Sequence, residues 1–393
     1  MPNPAVHPAV SFAPVEDGYL AYNAAHDQVH ELNSTAALLA ELCDGQRTPD
    51  EIFSLAAPWL PADGIEQVEN FIAGGLASGL LVWSDGPAVA TPTLDAEAIR
   101  QLALQLWGKN RPDLALKCAR QATVLEPEEA SVWHTLGRIS QALHYREQAA
   151  AAYRQYLAFC PHDASVEHLL IALTDAEAPQ RASDQCIRQI FADFAPHYDT
   201  KMQEALHYQA PRHLDQLLQS ELGERSNLEI LDLGCGTGLT GPGLRPRARR
   251  LTGIDLSPEM IELARARNLY DRLEIAEITA WLTRTRARFD LIVCCECLIY
   301  FGSLSRIVAL AAQRLNPGGW FAFTVERGAS SPFRLHDNGR YTHHPDHLRE
   351  AAAGAGLHCI EIQEKCLRME GGAEVPGLIA LLKKPARGSR GEA

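Results

Sequence analysis

No apolar run in this 393-residue sequence approaches the roughly 18–20 residues needed to cross a bilayer; the longest, such as Leu291 to Cys295, reach only strand length. The N-terminus has no basic stretch followed by an apolar one, so no secretory signal is read there and a cytoplasmic chain with no membrane partner is expected. Basic residues are scarce at the start. Residues 1–93 hold one, Arg47, against twelve acidic residues, a net −11 within a whole-chain net of −13. Such a segment repels phosphate backbones and attracts basic partners, which argues against nucleic acid as a substrate. The ten cysteines lack metal-ligand spacing. Cys294, Cys295 and Cys297 lie in or just past a strand-like run, FDLIVCCEC, whose neighbouring side chains point to opposite faces, so core or site-lining thiols are expected and no metal centre. With 46% hydrophobic and 22% charged residues, the composition is that of ordinary globular domains, and the length predicts two to four of them.

Residues 12–92 open with short alternating stretches broken at Asp17-Gly18 and Asn23, then turn helical. Ser34 can cap a helix that runs to Cys43 and stops at Asp44-Gly45. Thr48 with Glu51 reads as a capping box, and Ile65 to Gly79 carries a third helical period. Strands followed by three short helices predict a winged-helix-like α+β module. The blocks VHELNSTAALLAELCDGQRTPDEIF and SGLLVW resemble the PqqD-like peptide-binding family. That resemblance implies recruitment of the leader of a ribosomally made precursor peptide, added as a strand to a sheet edge. A module that only packs against its neighbours is the alternative.

Residues 94–175 repeat every 34 positions: Leu102 recurs as Leu136, Ala115 as Ala149 and Pro127 as Pro161. Thirty-four is the period of the tetratricopeptide helix pair, and a half repeat, Val166 to Leu173, would close the array. Both a helical spacer and a docking surface for a partner protein fit this stretch. The polar run TDAEAPQRASDQCI, 174–187, reads as a hinge.

From about residue 188 to 385, strands alternate with helices, which predicts a parallel sheet covered on both faces. Its anchor is the strand Leu228 to Leu233 running into Gly234-Cys235-Gly236-Thr237-Gly238, a turn whose backbone amides can approach a ligand closely. Asp255 ends the next apolar strand 19 residues beyond Gly236, the spacing of an acid that accepts ribose hydroxyls. The pattern D-x-G-x-G-x-G, begun by Asp232, suits a cationic amino-acid tail better than a pyrophosphate.

These residues strongly resemble the class I S-adenosylmethionine-dependent methyltransferases, a Rossmann-like α/β fold, over residues 190–385. ILDLGCGTG looks like that family's first motif, including Cys235, and GIDLSPEMIELAR its second, with Leu256 and Met260 as apolar neighbours of the ribose acid Asp255. The resemblance implies that Glu277 lies near the adenine amine with Ile278 beside the ring, and that Tyr198, in the lid-like FADFAPHYDTKM, covers the sulfonium end. Glu296, after the fourth strand, is grouped with these cofactor residues.

Methyl transfer is an in-line displacement in which positioning and desolvation of the acceptor do most of the work, and a base is optional. Base candidates near the expected site are Tyr300, Glu326 at the end of the fifth strand, Arg340, Tyr341 and His343. Glu296-Cys-Leu-Ile-Tyr300 stands where amide and nucleobase amino-methyltransferases carry N-P-P or D-P-P, which counts against those substrates. The leading expectation is methylation of a precursor peptide or protein bound through the N-terminal module. A small-molecule methyltransferase with an idle N-terminal module, and an inactive scaffold, are the other readings.

Overall fold

The computed structural model describes residues 2–61, 64–87, 94–174, 176–192, 195, 198–329 and 332–386. The end of the 12–92 stretch (88–92) and four lid positions (193–194 and 196–197) therefore lie outside the described residues. Two units divide the chain, Met1–Pro161 and His162–Ala393. Among the described residues no helix is long and apolar enough to cross a membrane.

In the first unit, β1 (Asn3–Val6) is followed by an antiparallel meander, β2 (Val10–Val15), β3 (Gly18–Asn23) and β4 (Gln28–Leu32). Helices α1 (Ser34–Leu42), α2 (Pro49–Ala56) and α3 (Gly64–Ala77) lead to β5 (Leu81–Ser84), which pairs back with β1. The α1 cap is Asn33 rather than Ser34: its side chain accepts the Ala36 N–H at 2.8 Å, and Ser34 is already helical. Thr48 and Glu51 form the reciprocal box that starts α2.

Four helices follow, α4 (Ala96–Gly108), α5 (Pro112–Leu125), α6 (Ala130–Ala142) and α7 (Arg146–Phe159). The 34-residue recurrence places Ala115 and Ala149 at fully buried positions. Ala13 and Leu20 of the meander share a core with Ile99, Leu102 and Leu106 of α4, so strands and helices here are one packed body.

The second unit opens with α8 (Ala164–Leu173), a helix over the stretch Val166 to Leu173, whose His168 ring bonds the Gly339 carbonyl oxygen at 2.9 Å. After α9 (Asp184–Ala192), α10 (Tyr198–Thr200, continuing as a π turn to Ala205) and α11 (Ala210–Leu222), the sheet begins with β6 (Leu228–Leu233). It continues α12 (Gly241–Leu244), β7 (Ala248–Asp255), α13 (Pro258–Ala266), β8 (Arg272–Ile275), α14 (Ile278–Arg284), β9 (Phe289–Cys294) and α15 (Ser305–Arg314). The last elements are β10 (Leu315–Arg327), β11 (Phe333–Leu335), β12 (Tyr341–His343), α16 (Pro345–Gly354), β13 (His358–Glu370) and β14 (Ala373–Lys383).

Strands β10, β9, β6, β7 and β8 are parallel in that order, β14 joins β10 antiparallel and carries β13, and β12 with β11 extends the tip of β10. This is a Rossmann-like α/β sheet. Burial follows the strand period of two. Leu231, Ile292, Cys294, Phe321 and Phe323 face α14, α15 and α16, whereas Ile230, Leu291, Val293, Cys295 and Ala322 face α11.

The α6–α7 contact is tight. A Cβ at Gly137 would lie 2.4 Å from the ring of Tyr153, which is fully buried and donates to Gln141 Oε1 at 2.5 Å. Helix propensity alone favours alanine over glycine by about 1 kcal/mol. We expect sterics to win: Gly137→Ala should lower stability by about 1–3 kcal/mol, read as a drop in the thermal midpoint, and a rise would show that the helices part freely.

Candidate active site

The chain leaves β6 through Gly234, Gly236 and Gly238, all at positive φ (66°, 53° and 87°), a region that only glycine enters without strain. At Gly234 glycine is also required by space, because a Cβ would sit 2.5 Å from that of Cys297. At Gly236 a Cβ would meet nothing within 4 Å, so its backbone borders open space. Asp255 at the end of β7 fixes this turn, its two carboxylate oxygens accepting the Gly236 and Ser257 N–H groups at 2.9 Å each. Burial pushes the Asp255 carboxyl above its ordinary value, against the pull of these amide bonds.

The turn floors a cleft of about 690 Å³, open to solvent, at the carboxyl ends of β6, β7 and β9, where strand order reverses. Ten of the residues expected from the sequence line it: Tyr198, Gly234, Gly236, Asp255, Leu256, Met260, Glu277, Ile278, Glu296 and Tyr300. The lining fits S-adenosylmethionine. Asp255 keeps lone pairs for ribose hydroxyls, the Gly236 backbone is open, and Leu256, Met260 and Ile278 offer an apolar seat for an adenine. Glu277 is committed locally as well: it caps α14, accepting the Thr279 and Ala280 N–H groups at 2.9 and 2.7 Å.

The remaining seven expected residues do not line the cleft; Arg340 is ion-paired to Glu326 and Glu370, and Tyr341 is fully buried and donates to the Pro179 carbonyl oxygen at 2.7 Å. Asp232 is fully buried under the turn, accepting Thr240 Oγ1 at 2.6 Å and Tyr270 Oη at 2.7 Å through one oxygen, while the other has no partner among the described residues. Burial pushes its carboxyl up to about 6. Cys235 is buried, and Gly238 backs onto Tyr270 and Arg267, so both support the turn from behind. Glu326 is buried and ion-paired to Arg340 and Arg368. His343, expected as a base candidate, sits fully buried in β12 with its ring stacked 5.3 Å from His347. Burial and His347 push it down to about 3, leaving a neutral core imidazole.

Asp199 latches Tyr198 to the turn. Its carboxylate accepts Thr237 Oγ1 at 2.5 Å and the Arg267 guanidinium, which also donates to the Thr237 carbonyl oxygen at 2.6 Å. Within the stretch read as a hinge, residues 180–182 instead pack against the cleft as part of its wall. Ala182 N–H donates to the Tyr300 carbonyl oxygen at 2.9 Å, Gly302 N–H to that of Gln180 at 2.8 Å, and Arg181 and Ala182 line the cleft. Sequence reasoning missed them because a polar segment without periodicity carries no signal of where it folds back. Phe191, Cys295, Cys297 and Phe301 also line the cleft; the first three stand inside segments that the motifs already marked, and Phe301 directly follows the run Glu296 to Tyr300.

A family model described as a methyltransferase domain matches residues 198–362. Ubiquinone biosynthesis O-methyltransferase of Xylella fastidiosa (strain 9a5c) is 32% identical over 180 residues, 41% of this chain and 72% of the relative. The protein of that name from Coxiella burnetii (strain Dugway 5J108-111) is 30% identical over 151 residues, 34% and 64% of the two chains. Among solved structures, Burkholderia thailandensis 1,6-didemethyltoxoflavin-N1-methyltransferase with bound S-adenosylhomocysteine is 22% identical, covering 53% of this chain and 93% of that one, with a TM-score of 0.43.

Two outcomes follow from this geometry. Asp255→Ala in the full chain should weaken S-adenosylhomocysteine binding about 10- to 100-fold in calorimetry, the loss of charge-assisted bonds; unchanged affinity in the folded variant would remove Asp255 from the site. Because the folded carboxyl of Asp232 is raised from 3.8 to about 6, its contribution to stability is full below pH 4 and lost as pH rises through 6. Asp232→Asn should flatten that loss, up to about 3 kcal/mol, in chemical unfolding at a series of pH values. A wild-type slope retained in the variant would place the titration elsewhere.

Proposed function

Because the chain belongs to the S-adenosylmethionine-dependent methyltransferases, with its class I domain across residues 198–362, we propose that it methylates a hydroxyl oxygen on a small aromatic acceptor. One observation carries this. The cleft presents a buried carboxylate, Glu296, among the rings of Phe191, Tyr198, Tyr300 and Phe301, while the arginines around it, Arg181, Arg340 and Arg368, are each ion-paired to a carboxylate. Aromatic walls suit a flat ring, a carboxylate suits an acceptor that brings a hydrogen, and a carboxylate acceptor would meet no uncommitted cation among these arginines. The name of the Xylella and Coxiella relatives, an O-methyltransferase of ubiquinone biosynthesis, points the same way. When bound, S-adenosylmethionine supplies a methyl group already activated on sulfur. The chain's share is then to orient the acceptor, exclude water and receive a proton.

A second reading keeps the N-terminal module in the reaction. Its PqqD-like resemblance, its net −11 and its exposed Trp59 and Trp83 support recruitment of a precursor peptide, with α4–α7 docking a partner protein. Tethering of that kind raises the acceptor's local concentration without new active-site contacts.

The full chain, given methyl-labelled S-adenosylmethionine and a panel of phenols, catechols and leader-bearing peptides, separates the two. We expect label on a phenolic oxygen by mass spectrometry. Label on peptides alone would overturn the small-acceptor reading in favour of the second.

A further inference from the structure

Glu296 is held in a conformation that its sequence does not favour. Its φ is +56°, whereas the other described non-glycine residues at positive φ are Asp27, Asn110, His144, His207, Asn227 and Asn268, types that tolerate this region. Strain of this kind persists only where the surroundings over-determine it. Here the Glu296 N–H donates to Thr324 Oγ1 at 2.7 Å, the same hydroxyl reaches Glu296 Oε1 at 3.3 Å, and Arg368 grips Oε2. One carboxylate oxygen is thus taken by an arginine. The other has a single long contact.

Arg368, on β13, is itself clamped, with its second nitrogen on Glu326 of β10. Arg340 bridges Glu326 at 2.7 Å and Glu370 at 2.5 Å. Three carboxylates and two guanidiniums are therefore linked behind the cleft, and of them only Glu296 reaches its lining.

We infer that Glu296 accepts the proton of the acceptor hydroxyl through Oε1, and that Arg368 is the positioning residue that holds Glu296 ready for it. This rests on the hydroxyl-acceptor reading and deepens it. Atoms and charge balance: the acceptor oxygen bonds the methyl carbon, the methyl–sulfur bond breaks with its electron pair left on sulfur, and the hydroxyl proton passes to Oε1. The carboxylate's negative charge and the sulfonium's positive charge disappear together.

The groups facing Glu296 set its basicity from several elements. Burial pushes its carboxyl above the ordinary value; Arg368 pulls it down, Glu326 pushes it up, and Arg340 and the Thr324 hydroxyl pull it down. Tyr198, Tyr208, Tyr300 and Cys295 complete the surround, each with its own proton held more tightly by burial. A solvated carboxylate is too weak a base for a phenol, and a buried one without a cation takes up a proton and loses the capacity. The clamp keeps Glu296 between these limits. Burial works against the charge on Arg368, and Glu296 and Glu326 more than offset it, so the guanidinium stays charged across the working range.

The test uses the full chain with the best phenol from the panel, and the variants Glu296→Gln, Arg368→Met and Arg368→Lys. Glu296→Gln should lose at least about 100-fold in kcat and the acid limb of the pH–rate profile, with S-adenosylhomocysteine affinity within about threefold of wild type. Arg368→Met should move the acid limb to higher pH, so that activity lost at pH 7 returns on raising pH, and Arg368→Lys should restore the limb toward wild type. Infrared difference spectra of the protein without acceptor give a second readout: a protonated-carboxyl band absent from Glu296→Gln and displaced to higher pH by removing the Arg368 charge. If Arg368→Met does not fold, Arg368→Lys carries the comparison with a smaller displacement. An acid limb that persists in Glu296→Gln, or a band that Arg368 substitution leaves in place, overturns the inference. A wild-type chain that methylates no hydroxyl overturns the acceptor reading instead, and the infrared comparison still decides whether Arg368 sets the protonation of Glu296.

Discussion

The Asp255 carboxylate, accepting Gly236 N–H on one oxygen and Ser257 N–H on the other, is the constraint on which the second unit's chemistry depends. It joins the ends of β6 and β7, fixes a glycine turn that would otherwise be the least restricted piece of backbone in the sheet, and starts α13 through Ser257. With the turn fixed, Thr237 can hold Asp199, and Asp199 can hold the segment bearing Tyr198. The same turn needs Gly234 because Cys297 presses against it, and that contact seats the segment after β9 which carries Glu296 and Tyr300. A single buried acid thus orders both the floor of the cleft and the wall that bears Glu296 and Tyr300.

The site is asymmetric. At Asp255 the carboxylate faces backbone N–H groups, which are fixed dipoles of the fold and need no counter-charge. At Glu296 the partners are side chains from distant strands, and a buried acid there is tolerable only because Arg368 and Arg340 distribute its charge over a network. The first arrangement holds a ligand by geometry. The second leaves Oε1 with a single contact, the Thr324 hydroxyl at 3.3 Å.

How much of this was legible in the sequence divides along the same line. Gly234, Gly236 and Asp255 could be read because strand, turn and strand lie within thirty residues and each position has a local physical reason, whereas Leu256 and Met260 came only from the resemblance to the methyltransferase family. Thr48 with Glu51 was legible as a capping box for the same cause. Arg368 was not legible, since it meets Glu296 across 72 residues and only the antiparallel return of β13 and β14 brings it there. His343 looked like a base candidate, yet β12 adds to the tip of β10 and buries it. Arg181 and Ala182 looked like a hinge because nothing local reveals that a polar strand end will bond back to Tyr300 and Phe301. Periodicity reports what an element buries, and it is silent on which distant element arrives to cover a site.

A crystal structure of the full chain with S-adenosylhomocysteine tests the central claim most directly. The account predicts both ribose hydroxyls on the Asp255 carboxylate and the sulfur on the side of the cleft where Tyr198 and Glu296 lie. A ribose turned away from Asp255, or a sulfur directed away from Glu296, would contradict it.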